Sequence, residues 1–584
     1  MEISGVVVGT YLVILVLLAV YGFHRSSLVF LYYRHRDKRP RAIGTFSDLP
    51  AVTVQLPLFN EMYVVERLLD SVAEIRYPRD RFQVQVLDDS TDETQEICQR
   101  KIAELRRRYP DLDIEYVHRA IRGGFKAGAL ENGLRTAKGE FILIFDADFL
   151  PLPDVLDGSI HHFLDPRVAV VQCRWDHVNR DFSALTEVQA LMLDGHFMME
   201  HAGRNRSGRF FNFNGTAGIW RRAAIADAGG WQHDTLTEDM DLSYRAQLRG
   251  WKFVYLPEIA APAELPVEMS SFKSQQFRWA KGSIQVALKL LPTILRSNAT
   301  FAQKSEAFFH LTNNLAYPLL VLLSLLLLPN LVFRTHHGWR EVLMIDLPLF
   351  FGTTLSIASF YLASQREIEL LRNPDAPRRV QWSVLRRLPL VMSLGIGLCV
   401  NQTRAVLEAL LGRETEFVRT PKHGIRLKLE SWSSKKYRAA KSITPFIELA
   451  MALYFAVAMG AALQNGHYLS MPFLALFLCG FGYVGCVSLW QGGVGLALRS
   501  WAKRLVPARA AFSPRAHVVP ARSAPARGVP ILVPPAFTRL GQSGGAPSSA
   551  HNATIELDIH DMERAVAEAM PTPPPLPRAP TRLS

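Results

Sequence analysis

The sequence predicts an α/β domain built on a parallel, doubly wound sheet and joined to a bundle of membrane-spanning helices. Strand-like and helix-like segments alternate between residues 52 and 145 of the 584-residue chain, an order that is typical of parallel sheets. Elsewhere the chain has apolar, nearly uncharged segments about as long as a bilayer core is thick. Five spanning helices are predicted, of which the fourth is short and needs flanking residues to cross: 6–23, 307–333, 342–363, 449–463 and 468–489.

The first apolar segment is predicted to be a membrane anchor. No Ala-x-Ala-like cleavage site follows it, as a signal peptide would require, whereas a basic run from Arg25 to Arg41 does. By the positive-inside rule, that run places the C-terminal side of the helix in the cytoplasm.

The formal net charge of +13 does not indicate nucleic-acid binding, because Lys and Arg cluster beside the apolar segments. This distribution favours contact with the lipid bilayer. The five cysteines show no paired spacing. Neither a disulfide framework nor a zinc site is predicted, which suits a reduced cytoplasmic compartment.

Within the α/β region, the predicted strands end in polar residues. The first strand, Val52–Leu56, is followed by a segment that ends at Glu61. The carboxyl ends of parallel strands share one edge of a sheet, so their polar side chains are expected to meet there. The remaining elements are predicted as helix 64–75, strand 82–87, helix 93–108, strand 114–117, a further helix, strand 141–145 and strand 168–173.

The strand Phe141–Phe145 runs directly into Asp146 and Asp148. Residues i and i+2 of a strand face the same side, so these two carboxylates point the same way. They repel each other unless a positive group lies between them, and a divalent cation satisfies both. The alternative is a pair of solvated acids at the end of a strand.

The second predicted strand ends in Asp88 and Asp89. If the ligand is a nucleoside diphosphate, one of these carboxylates can accept a hydrogen bond from a base imide or a ribose hydroxyl. The alternative is helix capping, since Ser90 or Thr91 before a helix is a good N-cap. The two interpretations are compatible.

Two glycine-rich segments are predicted to lie near the ligand. In the segment 122–128, glycine backbone lets Lys126 approach phosphate oxygens without a clash with a Cβ atom. The segment 210–218 contains Asn214 and Gly215. It is either a hairpin with Asn-Gly at its tip or a stretch whose aromatic residues line an acceptor channel.

Glu238 and Asp239 follow Thr237 at the predicted start of a helix. As a structural feature, Thr237 would cap the helix while the acids complement its dipole. As a functional feature, a carboxylate held at a helix start faces a cleft in a fixed orientation, as a general base requires. The residues alone leave both interpretations open.

Gln275, Arg278 and Trp279 lie on a further helix just before the second spanning segment. Taken alone, Arg278 and Trp279 are typical of an interface helix whose long side chains reach the membrane surface.

The motifs occur in one order along the chain: Asp88-Asp89, Asp146-x-Asp148, Thr237-Glu238-Asp239 and Gln275-x-x-Arg278-Trp279. This ordered set resembles the processive family-two glycosyltransferases of the cellulose-synthase superfamily. The amino-acid sequences of segments 85–92 and 213–220 are similar to those of the cellulose-synthase-like branch that includes plant mannan and glucomannan synthases. Each motif is weak by itself, but the ordered set flanked by membrane helices is specific.

The resemblance implies a GT-A fold with a Rossmann-like mixed sheet, a nucleotide-sugar donor, and Mg²⁺ or Mn²⁺ held by Asp146 and Asp148. Asp239, beside Glu238, would be the catalytic base of a single inverting displacement. The candidate substrate-binding residues are Glu61, Asp88, Asp89, Lys126, Asn214, Gly215, Gln275, Arg278, Trp279, Thr420 and Lys422.

Residues 417–422 resemble the gating loop of that family, whose Thr420 and Lys422 would close over the nucleotide. If this loop touches a cytoplasmic domain, the apolar stretch 388–400 cannot simply cross the bilayer. Its amphipathic continuation predicts an interfacial or re-entrant segment. The predicted division is an anchor at 1–25, a linker at 26–49, the catalytic domain at 50–265, interface helices at 266–300, transmembrane hairpins at 301–364 and 445–492, a cytoplasmic or interfacial segment at 365–444, and a disordered tail at 493–584.

The predicted function is synthesis of a β-1,4-mannan, a glucomannan or a β-glucan from UDP-glucose or GDP-mannose, with a polysaccharide as acceptor. The first alternative is a transferase that adds one sugar to a lipid, and the second is a transporter or scaffold with an inactive transferase domain. The expected location is a cell inner membrane or a Golgi-type membrane, with the catalytic domain in the cytoplasm. The sequence determines neither the sugar nor the oligomeric state.

Overall fold

The computed structural model describes residues 3–334, 347–375, 382–415, 417, 419–427, 430–432, 435–437 and 442–494. The predicted tail lies outside the described residues from position 495 onward, as does the start of the predicted span 342–363.

Seven strands form one mixed sheet in the order β3-β2-β1-β4-β6-β5-β7. The predicted parallel pairing holds for β1 to β4. In contrast, β6 runs antiparallel to both β4 and β5, which makes the sheet mixed. The strands are β1 (Val52–Leu58), β2 (Phe82–Asp88), β3 (Asp113–His118), β4 (Phe141–Ile144), β5 (Val168–His177), β6 (Gly218–Arg221) and β7 (Lys252–Ala263).

Helices pack on both faces of this sheet and continue into an apolar bundle. Those of the α/β domain are α2 (Val65–Ala73), α3 (Thr94–Arg108), α4 (Phe125–Leu134), α5 (Ala184–Gly195), α6 (Ala202–Arg206), α7 (Arg222–Asp227) and α8 (Glu238–Leu248). The others are α1 (Ile3–Arg34), α9 (Met269–Arg296), α10 (Phe301–Thr312), α11 (Ala316–Arg334), α12 (Leu347–Arg372), α13 (Trp382–Gly397), α14 (Cys399–Leu410), α15 (Thr444–Gln464) and α16 (Met471–Leu489).

Strand β4 lies at the centre of the sheet and is buried on both faces. Ile142 and Ile144 belong to the core on one side, whereas Leu143 and Phe145 belong to the core on the other. A strand covered on both faces has no reason to alternate polar and apolar residues, which explains its continuous apolar sequence. Asp146 and Asp148 follow the end of this strand, at the carboxyl edge of the sheet.

The segment 210–217 does not form the hairpin that its Asn-Gly pair allows. It is a loop that leads into β6, and β6 pairs with β4 and β5 instead of the preceding chain. At Gly218 a Cβ atom would lie 2.8 Å from the carbonyl oxygen of Val171. Only glycine therefore lets β6 enter between its two neighbours at this point.

Within the described part of the chain, four helical stretches are long and apolar enough to cross a membrane: Gly5–Arg34, Phe301–Val332, Thr444–Gln464 and Tyr468–Gly492. They coincide with four of the five predicted spans, including the shortest. The described part of the remaining predicted span belongs to α12.

Helices α13 and α14 meet at a bend of 40°, where the sequence predicted an interfacial or re-entrant segment. The polar side of α14 faces α9, since Asn401 donates to the carbonyl oxygen of Lys273 at 2.9 Å and Gln402 donates to that of Gln276 at 3.2 Å. The bend is compatible with either a broken span or a re-entrant loop.

Candidate active site

A cavity of about 190 Å³ opens at the carboxyl edge of the sheet, between the ends of β1 and β4, the start of α8 and the side of α9. It gathers all the predicted site residues except Asp88. The predicted residues that line it are Glu61, Asp89, Lys126, Asp146, Asp148, Asn214, Gly215, Glu238, Asp239, Gln275, Arg278, Trp279, Thr420 and Lys422. The fold therefore joins distant motifs into one site.

Lysine ammonium groups balance the two acids after β4. Lys126 Nζ lies 2.5 Å from Asp146 Oδ1, and Lys422 Nζ lies 2.6 Å from Asp148 Oδ2. The side chain of Asp146 is 34% exposed and that of Asp148 is 11% exposed. The alternative of two freely solvated acids is therefore wrong, because both face charged partners at the cavity.

The two carboxylates fit Mg²⁺ or Mn²⁺ when a substrate supplies further oxygen ligands. Among the described residues, no three His, Cys, Asp or Glu side chains converge as a metal site. Mg²⁺ in nucleotide sites is usually held by one or two carboxylates, with phosphate and water oxygens completing its coordination. Asp146 and Asp148 match this pattern. The metal site stays a prediction, in which the diphosphate of a bound substrate supplies the remaining oxygen ligands.

Asp88 lies behind the cavity and is fully buried. Its Oδ1 accepts the backbone N–H of Ser90 at 2.9 Å, and its Oδ2 accepts the hydroxyl of Tyr116 at 2.8 Å. Because both oxygens hold the loop, the structure does not bring Asp88 to the nucleotide side as predicted. The neighbouring Asp89 does line the cavity, where Arg119 binds it through two nitrogens at 2.5 and 2.7 Å.

Neither Ser90 nor Thr91 caps the helix that follows this loop, so the capping alternative is wrong for these residues. The start of α3 is satisfied by Asp92, whose Oδ1 accepts the N–H of Thr94 at 3.0 Å. Ser90 Oγ instead accepts the N–H of Asn60 at 2.8 Å, which ties the end of β1 to the end of β2.

The glycine-rich turn before α4 presents Lys126 to the cavity. Gly124 has a φ of 69°, and a Cβ atom at Gly128 would lie 2.1 Å from the carbonyl oxygen of Gly123. The turn is therefore too tight for side chains at these positions. Lys126 Nζ also donates to the carbonyl oxygen of Gly215 at 2.9 Å, which holds the loop before β6 against the site.

Glu238 and Asp239 occupy the first turn of α8 at the cavity wall. Thr237 makes no side-chain capping bond, so the predicted cap is wrong, whereas the two acids do lie in the first turn, where they complement the helix dipole. Burial, and then repulsion from Glu238, raises the pKa of Asp239 to about 7. A Cβ atom at Gly215 would lie only 3.0 Å from Asp239 Oδ2, so a glycine is needed beneath this carboxylate.

Helix α9 turns Gln275, Arg278 and Trp279 toward the cavity. Arg278 donates to Thr420 Oγ1 at 2.8 Å, and its guanidinium lies 4.5 Å from the ring centre of Phe417. Burial lowers the pKa of Arg278 to about 10. The interpretation of these residues as membrane-surface side chains is therefore wrong, because they face the catalytic domain.

Residue 417 and residues 419–423, which we call the gating segment, close one side of the cavity. Position 418 of the predicted gating loop lies outside the described residues. Arg419 donates two hydrogen bonds to Glu61, at 2.7 and 2.6 Å. Glu264 accepts the backbone N–H of His423 at 2.9 Å. Arg419, Arg119 and Glu264 are not among the predicted site residues, and only Arg419 carries a sequence signal, since it lies inside the predicted gating loop.

A second cavity of about 240 Å³ lies between the α/β domain and the apolar helices. It shares Asp239, Asn214 and Trp279 with the first cavity and continues to Arg25 of α1 and Tyr317 of α11. The expectation that the aromatic residues of segment 210–218 line an acceptor channel is wrong. Phe210, Phe211 and Phe213 pack in the core, and neither cavity reaches them.

The chain is similar to known proteins over most of its length. Residues 50–282 match the family described as glycosyltransferase like family 2. The chain is 34% identical over 502 residues to glucomannan 4-β-mannosyltransferase 2 of Arabidopsis thaliana, covering 78% of this chain and 86% of that protein. It is 35% identical over 470 residues to glucomannan 4-β-mannosyltransferase 1 of Oryza sativa subsp. japonica, covering 76% and 84% respectively. The chain belongs to this glycosyltransferase family.

Among solved structures, this glycosyltransferase is similar to the mannosyltransferase PcManGT from Pyrobaculum calidifontis in complex with GDP-Man and Mn²⁺. The TM-score is 0.44 and the identity 22%, covering 63% of this chain and all of that one. The predicted family, the predicted α/β fold with apolar helices, and the prediction of an enzyme are confirmed. The roles of individual residues in this glycosyltransferase stay predictions.

Proposed function

We propose that this glycosyltransferase polymerises a β-1,4-linked mannan or glucomannan from a nucleotide sugar at the cytoplasmic face of a membrane. The observation that supports polymerisation is the meeting of the two cavities at Asp239, one at the sheet edge and one leading to the apolar helices. A polysaccharide is too polar to cross hydrocarbon unaided, and a protein-lined path removes that cost. The relatives named as glucomannan mannosyltransferases favour GDP-mannose as the principal donor.

The donor diphosphate would bind between Lys126, Arg278 and Lys422, whose positive groups all face the first cavity. Charge-assisted hydrogen bonds from these groups would orient the diphosphate and stabilise the charge that it gains as it leaves. A Mg²⁺ or Mn²⁺ ion held by Asp146 and Asp148 would supply further neutralisation of the same charge.

Asp239 would take the proton of the acceptor hydroxyl while that oxygen attacks the anomeric carbon. The attack comes from the side opposite the departing nucleotide, so one displacement converts an α-linked donor into a β linkage. A retaining enzyme would need a second, nucleophilic carboxylate at the sugar, which this route does not require.

The test is a donor panel with the full-length protein in detergent. UDP-glucose, GDP-mannose and UDP-GlcNAc are supplied separately and in pairs, and nucleoside diphosphate release, product length and linkage are measured. A β-1,4-linked mannose polymer from GDP-mannose, with glucose included when both donors are present, supports the proposal. A product with one sugar on a lipid, or no sugar transfer from any donor, contradicts it.

A further inference from the structure

Four linked polar side chains, one of which lines both cavities with Asp239, take no part in the reaction steps above. They are His196, Glu200, His201 and Asn214, which we call the histidine cluster. Asn214 lines both cavities, whereas His196 and Glu200 line only the second. The cluster therefore borders the place where donor and acceptor would meet.

The backbone of His196–His201 forms a π-helical turn between α5 and α6. Residues five apart project from different faces of an α-helix, but the wider π turn brings them almost into line. The rings of His196 and His201 consequently lie 4.3 Å apart, centre to centre. Local π geometry of this kind occurs frequently at functional sites.

Both histidines hold the side chain of Asn214. Burial holds the pKa of His201 well below its ordinary value, so its ring is neutral. His201 Nε2–H donates to Asn214 Oδ1 at 2.7 Å, which leaves the amide nitrogen of Asn214 to donate to His196 Nε2 at 3.2 Å. His196 must then carry its proton on Nδ1, which donates to Glu200 at 2.8 Å.

This arrangement leaves one N–H of Asn214 for a ligand. A carboxamide nitrogen has two N–H groups, and the bond to His196 is the only one that it donates among the described residues. The next residue, Gly215, lies directly beneath Asp239, since its Cβ position is 3.0 Å from Asp239 Oδ2. The remaining donor of Asn214 therefore lies close to the candidate base.

We propose that His196 and Glu200 are positioning residues for the acceptor. Through Asn214 they aim one N–H at a hydroxyl of the terminal acceptor sugar, beside the hydroxyl that Asp239 deprotonates. The inference rests on the proposed function, because it takes a sugar hydroxyl as the ligand. Glu200 acts one step further out, since it sets which nitrogen of His196 carries the proton.

The test uses the full-length protein with GDP-mannose and a soluble β-1,4-linked manno-oligosaccharide. The measurements are the KM for each substrate and the fraction of GDP-mannose that is hydrolysed instead of transferred. We expect His196→Ala to raise the acceptor KM about tenfold and to increase hydrolysis, with the donor KM unchanged. His196→Gln should recover most of the acceptor affinity, because its amide can accept from Asn214 and donate to Glu200.

The matched control is His161→Ala, which removes a histidine that accepts the backbone N–H of Phe46 at 3.1 Å and lines neither cavity. It should leave the acceptor KM unchanged. If His196→Ala does not fold, His196→Asn replaces it, since its side chain is too short to reach Asn214. An unchanged acceptor KM, or equal changes in both KM values, overturns the inference. Absence of sugar transfer by the unaltered protein instead contradicts the proposed function.

Discussion

Asp239 is a partly buried carboxyl group in the first turn of α8, and its surroundings suit a proton acceptor. Burial and the charge of Glu238 both disfavour its ionised form, whereas Lys126 favours it. The balance is a pKa of about 7, close to that of a carboxylate adapted for general-base catalysis at neutral pH.

Replacing Asp239 by Asn is expected to lower kcat by about a hundredfold to ten-thousandfold, which is the usual contribution of a general base. Donor affinity should persist, because the amide keeps the shape of the side chain. The measurement is steady-state sugar transfer combined with nucleotide binding. The control is Asp234→Asn, a carboxylate that is 57% exposed and pairs with Lys289; near-normal transfer by Asp239→Asn would contradict the assignment.

The raised pKa of Asp239 predicts the pH dependence of catalysis. A base must be ionised, and a pKa of about 7 leaves most of the carboxyl protonated below neutrality. We therefore expect kcat/KM to fall about tenfold per pH unit below pH 7 and to level off above it. The profile is measured with saturating metal and corrected for loss of protein at acid pH. A limb near pH 4, the range of an ordinary carboxyl, would exclude Asp239 as the controlling group.

At the scale of elements, the gating segment (residue 417 and residues 419–423) is held to the catalytic domain by charged groups. Arg419 pairs with Glu61, and Lys422 pairs with Asp148 and donates to the carbonyl oxygen of Glu264 at 2.6 Å. The side chain of Lys422 is 8% exposed, so its charge is largely removed from water. The segment thus places the Lys422 ammonium group against the carboxylate of Asp148, the proposed metal ligand.

Lys422→Ala is expected to raise the affinity for Mn²⁺ about tenfold in the absence of nucleotide, because the ammonium group no longer competes for the Asp148 carboxylate. Mn²⁺ binding is followed by electron paramagnetic resonance of the free ion. Lys436→Ala serves as the control, since Lys436 is an exposed lysine whose partner is Glu93. Equal Mn²⁺ affinities for the unaltered protein and the Lys422 variant would show that this contact does not compete with the ion.

At the scale of the whole molecule, α9 connects the catalytic domain to the apolar helices. Its Arg278 faces the first cavity, whereas Lys273, about one turn earlier, contacts α15. Lys273 Nζ lies 2.6 Å from Glu448 Oε1 and 2.9 Å from Thr444 Oγ1, and all three groups are buried. One helix therefore carries substrate-facing groups and a buried ion pair with a candidate span.

Lys273→Met is expected to destabilise the protein by about 3 kcal/mol, because it leaves the Glu448 carboxylate buried without its cation. The double variant Lys273→Met with Glu448→Leu should recover most of that loss, since a buried ion pair contributes little over an apolar pair of similar size. Thermal unfolding in detergent measures both. If the single variant unfolds at the temperature of the unaltered protein, the pair does not stabilise the junction.

The sequence by itself determined the elements and most of the members of the site. Strand β4 was predictable because a strand buried on both faces is continuously apolar. The place of Asp146 and Asp148 in the site was predictable because ligands of open α/β sheets bind at the carboxyl ends of the strands. Asp239, Arg278 and Trp279 were predicted as site residues because their motifs follow one another in the order typical of the family. That order can be read from the sequence without the structure.

Only the tertiary structure decided which groups face one another. The lysines that balance Asp146 and Asp148 come from α4 and the gating segment, far apart in the chain. Asp88 is held away from the cavity because the hydroxyl of Tyr116, on the neighbouring strand, donates a hydrogen bond to its carboxylate. The histidine cluster depends on one π-helical turn against a distant loop. Such contacts arise from packing between distant segments, which composition, periodicity and spacing do not encode.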